Sequence, residues 1–154
     1  MSVNEDFARL EGSWRGINKL YLPWMPDPLK ESDSTMSVSL KANGQFIQFD
    51  YTWLYEDEPQ EGLMILGCDT KSNEAQILWT DSWHIRHTFM LADGKVAEDG
   101  TVSVKGHYKV PNGPDWGWRI DIISADDAFK LMMFNVSPDG AEEPAVEALY
   151  ERGN

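Results

Sequence analysis

The sequence predicts an all-β protein, an antiparallel meander closed into a barrel of about ten strands with one short helix ahead of the first strand. Three observations lead there. Apolar and polar residues alternate along most of the chain, as a half-buried strand requires. Clusters of Gly, Pro, Asn and Asp interrupt the alternation roughly every eight to twelve residues. No segment carries a helical apolar period long enough to cover a sheet.

The elements follow in order. A helix over 4–10 sets Phe7 and Leu10 on one face, spaced to plug the end of a barrel. An opening strand spans about 12–21. Met36, Val38 and Leu40 then alternate with Ser37 and Ser39, and Asn43-Gly44 tolerates the positive φ of a tight hairpin. The return strand carries Ile47, Phe49, Tyr51, Trp53 and Tyr55 on one face, against Gln48, Asp50 and Thr52 on the other. Further strands are expected over 62–69, 75–81, 84–91, 101–110, 116–124, 129–136 and 145–152. The reversals between them fall at Lys71-Ser72-Asn73, Asp93-Gly94, Asp99-Gly100, Pro111-Asn112-Gly113-Pro114, Ala125-Asp126-Asp127 and Ser137-Pro138-Asp139-Gly140. Left open, such a meander would expose two edges, and closure removes both. An immunoglobulin-type sandwich would need longer crossovers and a Cys-Trp-Cys core, and a curved sheet around a helix would need a helix of at least about three turns.

Composition sets the broad class. The 154 residues, 42% hydrophobic and 25% charged, suit one globular domain over 1–154 with a core of its own. Thirteen Lys and Arg against 26 Asp and Glu give a net charge of −13, which repels phosphate backbones and anionic lipid. Nucleic acid and membrane are therefore not expected partners. The N-terminal residues lack a basic start and an apolar segment, and no apolar run reaches about 18 residues, so a cytoplasmic protein is expected. Cys68 is the single cysteine, which rules out an intramolecular disulfide and a CxxC site.

At Gly12-Ser13-Trp14-Arg15-Gly16 the chain resembles the calycin (lipocalin-like) superfamily, in which a first-strand Gly-x-Trp follows a short helix. Trp79-Thr80-Asp81-Ser82, Gly106, the Arg119 strand, Ser137-Pro138-Asp139-Gly140 and Tyr150-Glu151-Arg152 are similar in order and spacing to the bacterial DUF1579 family. That resemblance covers most of the chain and implies a lipocalin-like barrel with no established chemistry. It also implies that Trp14 lies across the closed end of the barrel with Arg152 over its face. Nitrobindins share the Gly-x-Trp-x-Gly segment and ligate haem iron through a histidine near the C-terminus. No histidine follows His107 here, so neither haem nor any other cofactor is expected.

Several side chains are candidates for a site. Phe49, Tyr51, Trp53, Trp79 and Trp83 could line a cavity for a flat apolar ligand, because a ten-strand barrel is wider than its own side chains fill. Their plainer role is to fill the core. Arg119, mid-strand, is expected either to hold a ligand carboxylate inside the barrel or to pair with Asp81 or Asp121. Asp81 and His84 could act as acid and base if Ser82-Trp83 turns the chain, whereas a straight strand would send them to opposite faces. His84, His87 and His107 have the ligand type for a metal but not the spacing, and no metal site is expected. The reading is a barrel with an interior pocket for a small apolar or aromatic molecule, acting as a monomer or homodimer. One alternative is a small enzyme performing proton transfer or cyclisation on a hydrophobic substrate through Asp81 and His84. Another is a packed barrel that acts as an interaction protein.

Overall fold

The computed structural model describes residues 3–153. A six-residue helix, α1 (Val3–Ala8), precedes ten strands: β1 (Gly12–Tyr21), β2 (Leu29–Lys41), β3 (Phe46–Tyr55), β4 (Glu58–Cys68), β5 (Glu74–Asp81), β6 (Met90–Val96), β7 (Val102–Tyr108), β8 (Trp116–Ser124), β9 (Ala128–Val136) and β10 (Glu142–Arg152). They form a closed antiparallel barrel in which each strand pairs with its neighbour in sequence and β10 returns to β1. The closing register sets Trp14 opposite Arg152 and Leu20 opposite Val146. Closure leaves no unpaired edge in the barrel, which is the physical reason a meander of this length adopts it.

Alternation decides which face is inside. On β3, Ile47, Phe49, Tyr51 and Trp53 are buried while Asp50, Thr52 and Leu54 are exposed. On β8, Trp118, Ile120 and Ile122 point inward. The interior is thus the apolar face, and large rings fill much of it. The β3–β4 hairpin turns on Glu56 and Asp57, both at positive φ (49° and 67°), as a tight two-residue turn of the right twist requires.

Two expectations fail here for local reasons. The segment 84–91 is not a strand: 82–89 forms a loop, and pairing resumes with Met90 opposite Trp79. Asp93-Gly94 is not a turn but lies within β6. A Cβ on Gly94 would come within 1.9 Å of the Ser103 carbonyl oxygen, so this glycine allows close strand approach rather than a reversal.

The two ends of the barrel differ. At one, α1 and the turn after it seat Phe7 and Leu10 in the core beside the connections 42–45, 69–73, 97–101 and 125–127. Trp14 lies here, 1% exposed, donating from Nε1 to the Leu10 carbonyl at 2.7 Å and meeting Phe129 edge-on at 4.8 Å. The Arg152 guanidinium sits 4.1 Å over the Trp14 ring and donates to the Glu11 and Arg9 carbonyls, tying the end of the last strand to the helix. The other end carries the three longest connections, 22–28, 82–89 and 109–115. No helix of the described residues is long and apolar enough to cross a membrane.

Because Trp14 is wholly buried, Trp14→Ala should cost about 3–5 kcal/mol through the cavity it leaves. Arg152→Ala should cost only about 1–2 kcal/mol, the stacking of one guanidinium and its hydrogen bonds. Urea unfolding of the two variants measures the difference, and comparable losses would contradict this account of the closed end.

Candidate functional site

Asp81, the last residue of β5, faces inward at the long-loop end and is 2% exposed. A carboxylate there must be supplied with donors or lose its charge. Its Oδ1 accepts from the backbone N–H of Trp83 (2.8 Å) and of His84 (3.0 Å). Its Oδ2 accepts from the Tyr51 hydroxyl (2.7 Å) and from Trp53 Nε1 (3.2 Å). The Tyr51 oxygen in turn accepts from Trp79 Nε1 at 2.8 Å. The main-chain carbonyl of Asp81 receives the N–H groups of Ile85 and Arg86. One residue therefore turns the chain on its main chain and orients two aromatic side chains through its carboxylate, with a third, Trp79, reached through Tyr51.

This turn is why 84–91 leaves the sheet despite its strand-like pattern. An Asp side chain that captures N–H groups two and three residues on competes directly with ladder pairing. It brings His84 back over Asp81, with Nδ1 3.2 Å from Oδ1. That is ion-pair reach, but the ring N–H is not aimed at the oxygen, and Nδ1 is buried without a hydrogen-bond partner. The imidazole is enclosed by four indoles: Trp83, Trp118, Trp79 and Trp53, with centroids at 4.8, 5.5, 5.6 and 5.7 Å. Trp118 stacks on Trp79 at 5.3 Å and 9°, and its Nε1 is likewise buried with no acceptor. Beyond His84 the loop is strained and open: Arg86 has φ 74°, and Phe89 is 67% exposed.

The electrostatics follow from these contacts. Burial alone would raise the Asp81 pKa, but the adjacent His84 and the Tyr51 hydroxyl outweigh it and hold the carboxyl below its usual range. Burial first, and the Asp81 charge second, push the Tyr51 hydroxyl well above its ordinary value. Tyr51 thus stays a neutral donor. Making room for its ring is the task of Gly62, where a Cβ would lie 1.9 Å from Tyr51 Cζ.

Of the candidates read from the sequence, Tyr51, Trp53, Trp79, Trp83, Asp81 and His84 come together here. Phe49 does not; it packs toward the helix-plugged end, 6.2 Å from Phe129. Arg119 does not face the interior either, because Trp118 and Ile120 on either side of it take the inward positions. It lies on the outer face, bonded to Asp121 and Glu142 and 4.0 Å over the Phe134 ring. An interior ligand carboxylate is out of its reach. His87 and His107 are exposed, and among the described residues no group of three His, Cys, Asp or Glu is placed to hold a metal. The Cys68 thiol is pushed by burial up to about 11, which makes it a poor nucleophile. Two members were missed. Trp118 was legible in principle from its alternation with Ile120 and Ile122, whereas nothing in the local sequence marks Gly62 as the partner of Tyr51.

The family model described as protein of unknown function (DUF1579) matches residues 3–152. No curated protein matches the chain. Among solved structures it is similar to Rv2717c from M. tuberculosis, with TM-score 0.68 and 11% identity over 99% of this chain and 98% of that one. It is also similar to the S-type phycobiliprotein lyase CPES from Guillardia theta, with TM-score 0.64 and 17% identity over 100% of this chain and 94% of that one. At these identities the likeness is one of fold, a calycin-like barrel.

Two outcomes test the site's construction. Tyr51→Phe should destabilise by about 1–3 kcal/mol, since Asp81 loses a donor and Trp79 an acceptor. Asp81→Asn should reverse part of the acid sensitivity. A folded-state pKa below the unfolded value gives stability that is present above about pH 4 and is lost as pH falls through the depressed pKa. Urea midpoints of the native chain and of Asp81→Asn should therefore converge on acidification and separate toward neutrality.

Proposed function

The chain belongs to the DUF1579 family of proteins of unknown function, and from that premise we propose that it is a cytoplasmic binding protein for a small, flat, apolar or aromatic molecule. Its site is the four-indole box at the long-loop end. Tyr51, Trp53, Trp79, Trp83 and Trp118 line it, and the 82–89 loop covers it. The observation that carries the proposal is a buried donor without an acceptor, Trp118 Nε1, beside an imidazole whose Nδ1 reaches the Asp81 carboxylate at 3.2 Å without alignment for a hydrogen bond. Cores packed only for stability satisfy such groups, and an orphaned N–H inside an aromatic enclosure is what a ligand acceptor would complete. The fold supports the reading, since one neighbour of the same architecture is named as a phycobiliprotein lyase. His84 now occupies the box, so entry requires the loop to lift; the strained Arg86 and the exposed Phe89 support a loop that can do so.

The approach of His84 to Asp81 favours a second reading, an enzyme moving a proton on a hydrophobic substrate. Against it stands the full occupation of both Asp81 oxygens by four hydrogen bonds, which fits a fixed structural anion better than an acid or base.

Nile red, a flat neutral dye with a carbonyl acceptor, should bind saturably at one site with quenching of indole emission. Trp118→Phe, which keeps the ring and removes the N–H, should weaken it by about 3–10-fold, the worth of one hydrogen bond. Arg119→Ala should leave it unchanged. Failure of the folded protein to bind the dye saturably would favour a packed interaction protein.

A further inference from the structure

The box already holds an occupant, and that occupant indicates what it selects. His84 is a flat nitrogen heterocycle set among four indole rings with one nitrogen 3.2 Å from a buried carboxylate. Electron-rich ring faces together with a desolvated anion are the chemistry that recognises an organic cation. Among the described residues Asp81 is the one buried charged side chain. Arg119, which could have balanced an incoming carboxylate, lies outside the barrel, paired with Asp121 and Glu142. An anionic ligand would therefore meet Asp81 at close range in a low-dielectric enclosure, where like charges repel strongly. The net charge of −13 adds a long-range field of the same preference.

Resting on the binding function above, we propose that the box takes a flat, nitrogen-containing organic cation, which displaces the His84 imidazole and sits between Trp79, Trp53 and Trp118 against Asp81, with Trp83 closing over it on the 82–89 loop. An acceptor at the edge of that cation completes the Trp118 N–H. The His84 ring is then a stand-in occupant against the strand-borne walls Trp53, Trp79 and Trp118, and the 82–89 loop is the lid that carries it and Trp83 in and out.

Three probes of nearly one shape separate charge from shape: 1-methylnicotinamide as cation, nicotinamide as neutral ring and nicotinate as anion, each titrated into the full chain by calorimetry. Expected is the order cation, neutral, anion, with the cation at least about tenfold tighter than the neutral ring, as desolvated cation–aromatic contacts allow. His84→Ala, which empties the box while keeping Asp81 and the indoles, should tighten the cation several-fold and keep the order. Asp81→Asn, if it folds, should reduce the cation's advantage to near parity. Nicotinate or nicotinamide binding as well as the cation, with Nile red still bound, overturns the charge preference and leaves the binding function standing. Unchanged or weakened cation binding in His84→Ala overturns the displacement of the imidazole. Failure of Nile red and all three probes to bind overturns both.

Discussion

A carboxylate buried in an apolar barrel is the constraint around which the long-loop end is organised. Asp81 could not remain charged at 2% exposure without donors, and four are supplied by groups from β3 and from the chain just beyond β5. Each donor is thereby fixed. Tyr51 is held at an angle that only a glycine at position 62 permits, Trp53 is drawn toward Asp81, and two backbone N–H groups bend the chain into the loop that sets His84 among the indoles. The tilt of these rings and the path of the 82–89 loop share one electrostatic cause.

The opposite end is built by different means. There the barrel is sealed by apolar contact: Phe7 and Leu10 fill the opening, Trp14 meets Phe129 edge-on, and Phe129 stacks on Tyr150 at 5.0 Å. There Trp14 donates to the Leu10 carbonyl and Tyr150 is hydrogen-bonded to Ser34. At the long-loop end, by contrast, the buried Trp118 Nε1 has no acceptor. One end is thus closed by packing, and the other by a loop folded around a buried charge.

Charge placement also separates the interior from the outer face. The outer surface carries most of the acidic excess, and the Arg119 guanidinium is spent on outer-face partners. The interior keeps one negative charge and no balancing cation among its described buried residues. Aromatic ring faces and the Asp81 carboxylate therefore give the interior at this end the same electrostatic sign.

The sequence by itself determined the architecture. Period-two alternation and regularly spaced turn residues are local signals, and ten strands, their order and closure follow from them with the boundaries mostly within a few residues. The pairing of the Trp14 strand with the Arg152 strand follows from meander closure alone. What the sequence left open was decided by tertiary structure. The 84–91 stretch has the pattern of a strand, and it becomes a loop because Asp81 captures its N–H groups, a competition that no periodicity records. Arg119 could be placed only by knowing which parity of β8 faces inward, and that depends on the whole barrel burying its larger apolar set. The juxtaposition of Trp118 with Trp79, His84 and Trp53 joins residues from three strands and a loop. Such contacts are long-range in sequence, and only closure of the barrel makes them neighbours in space.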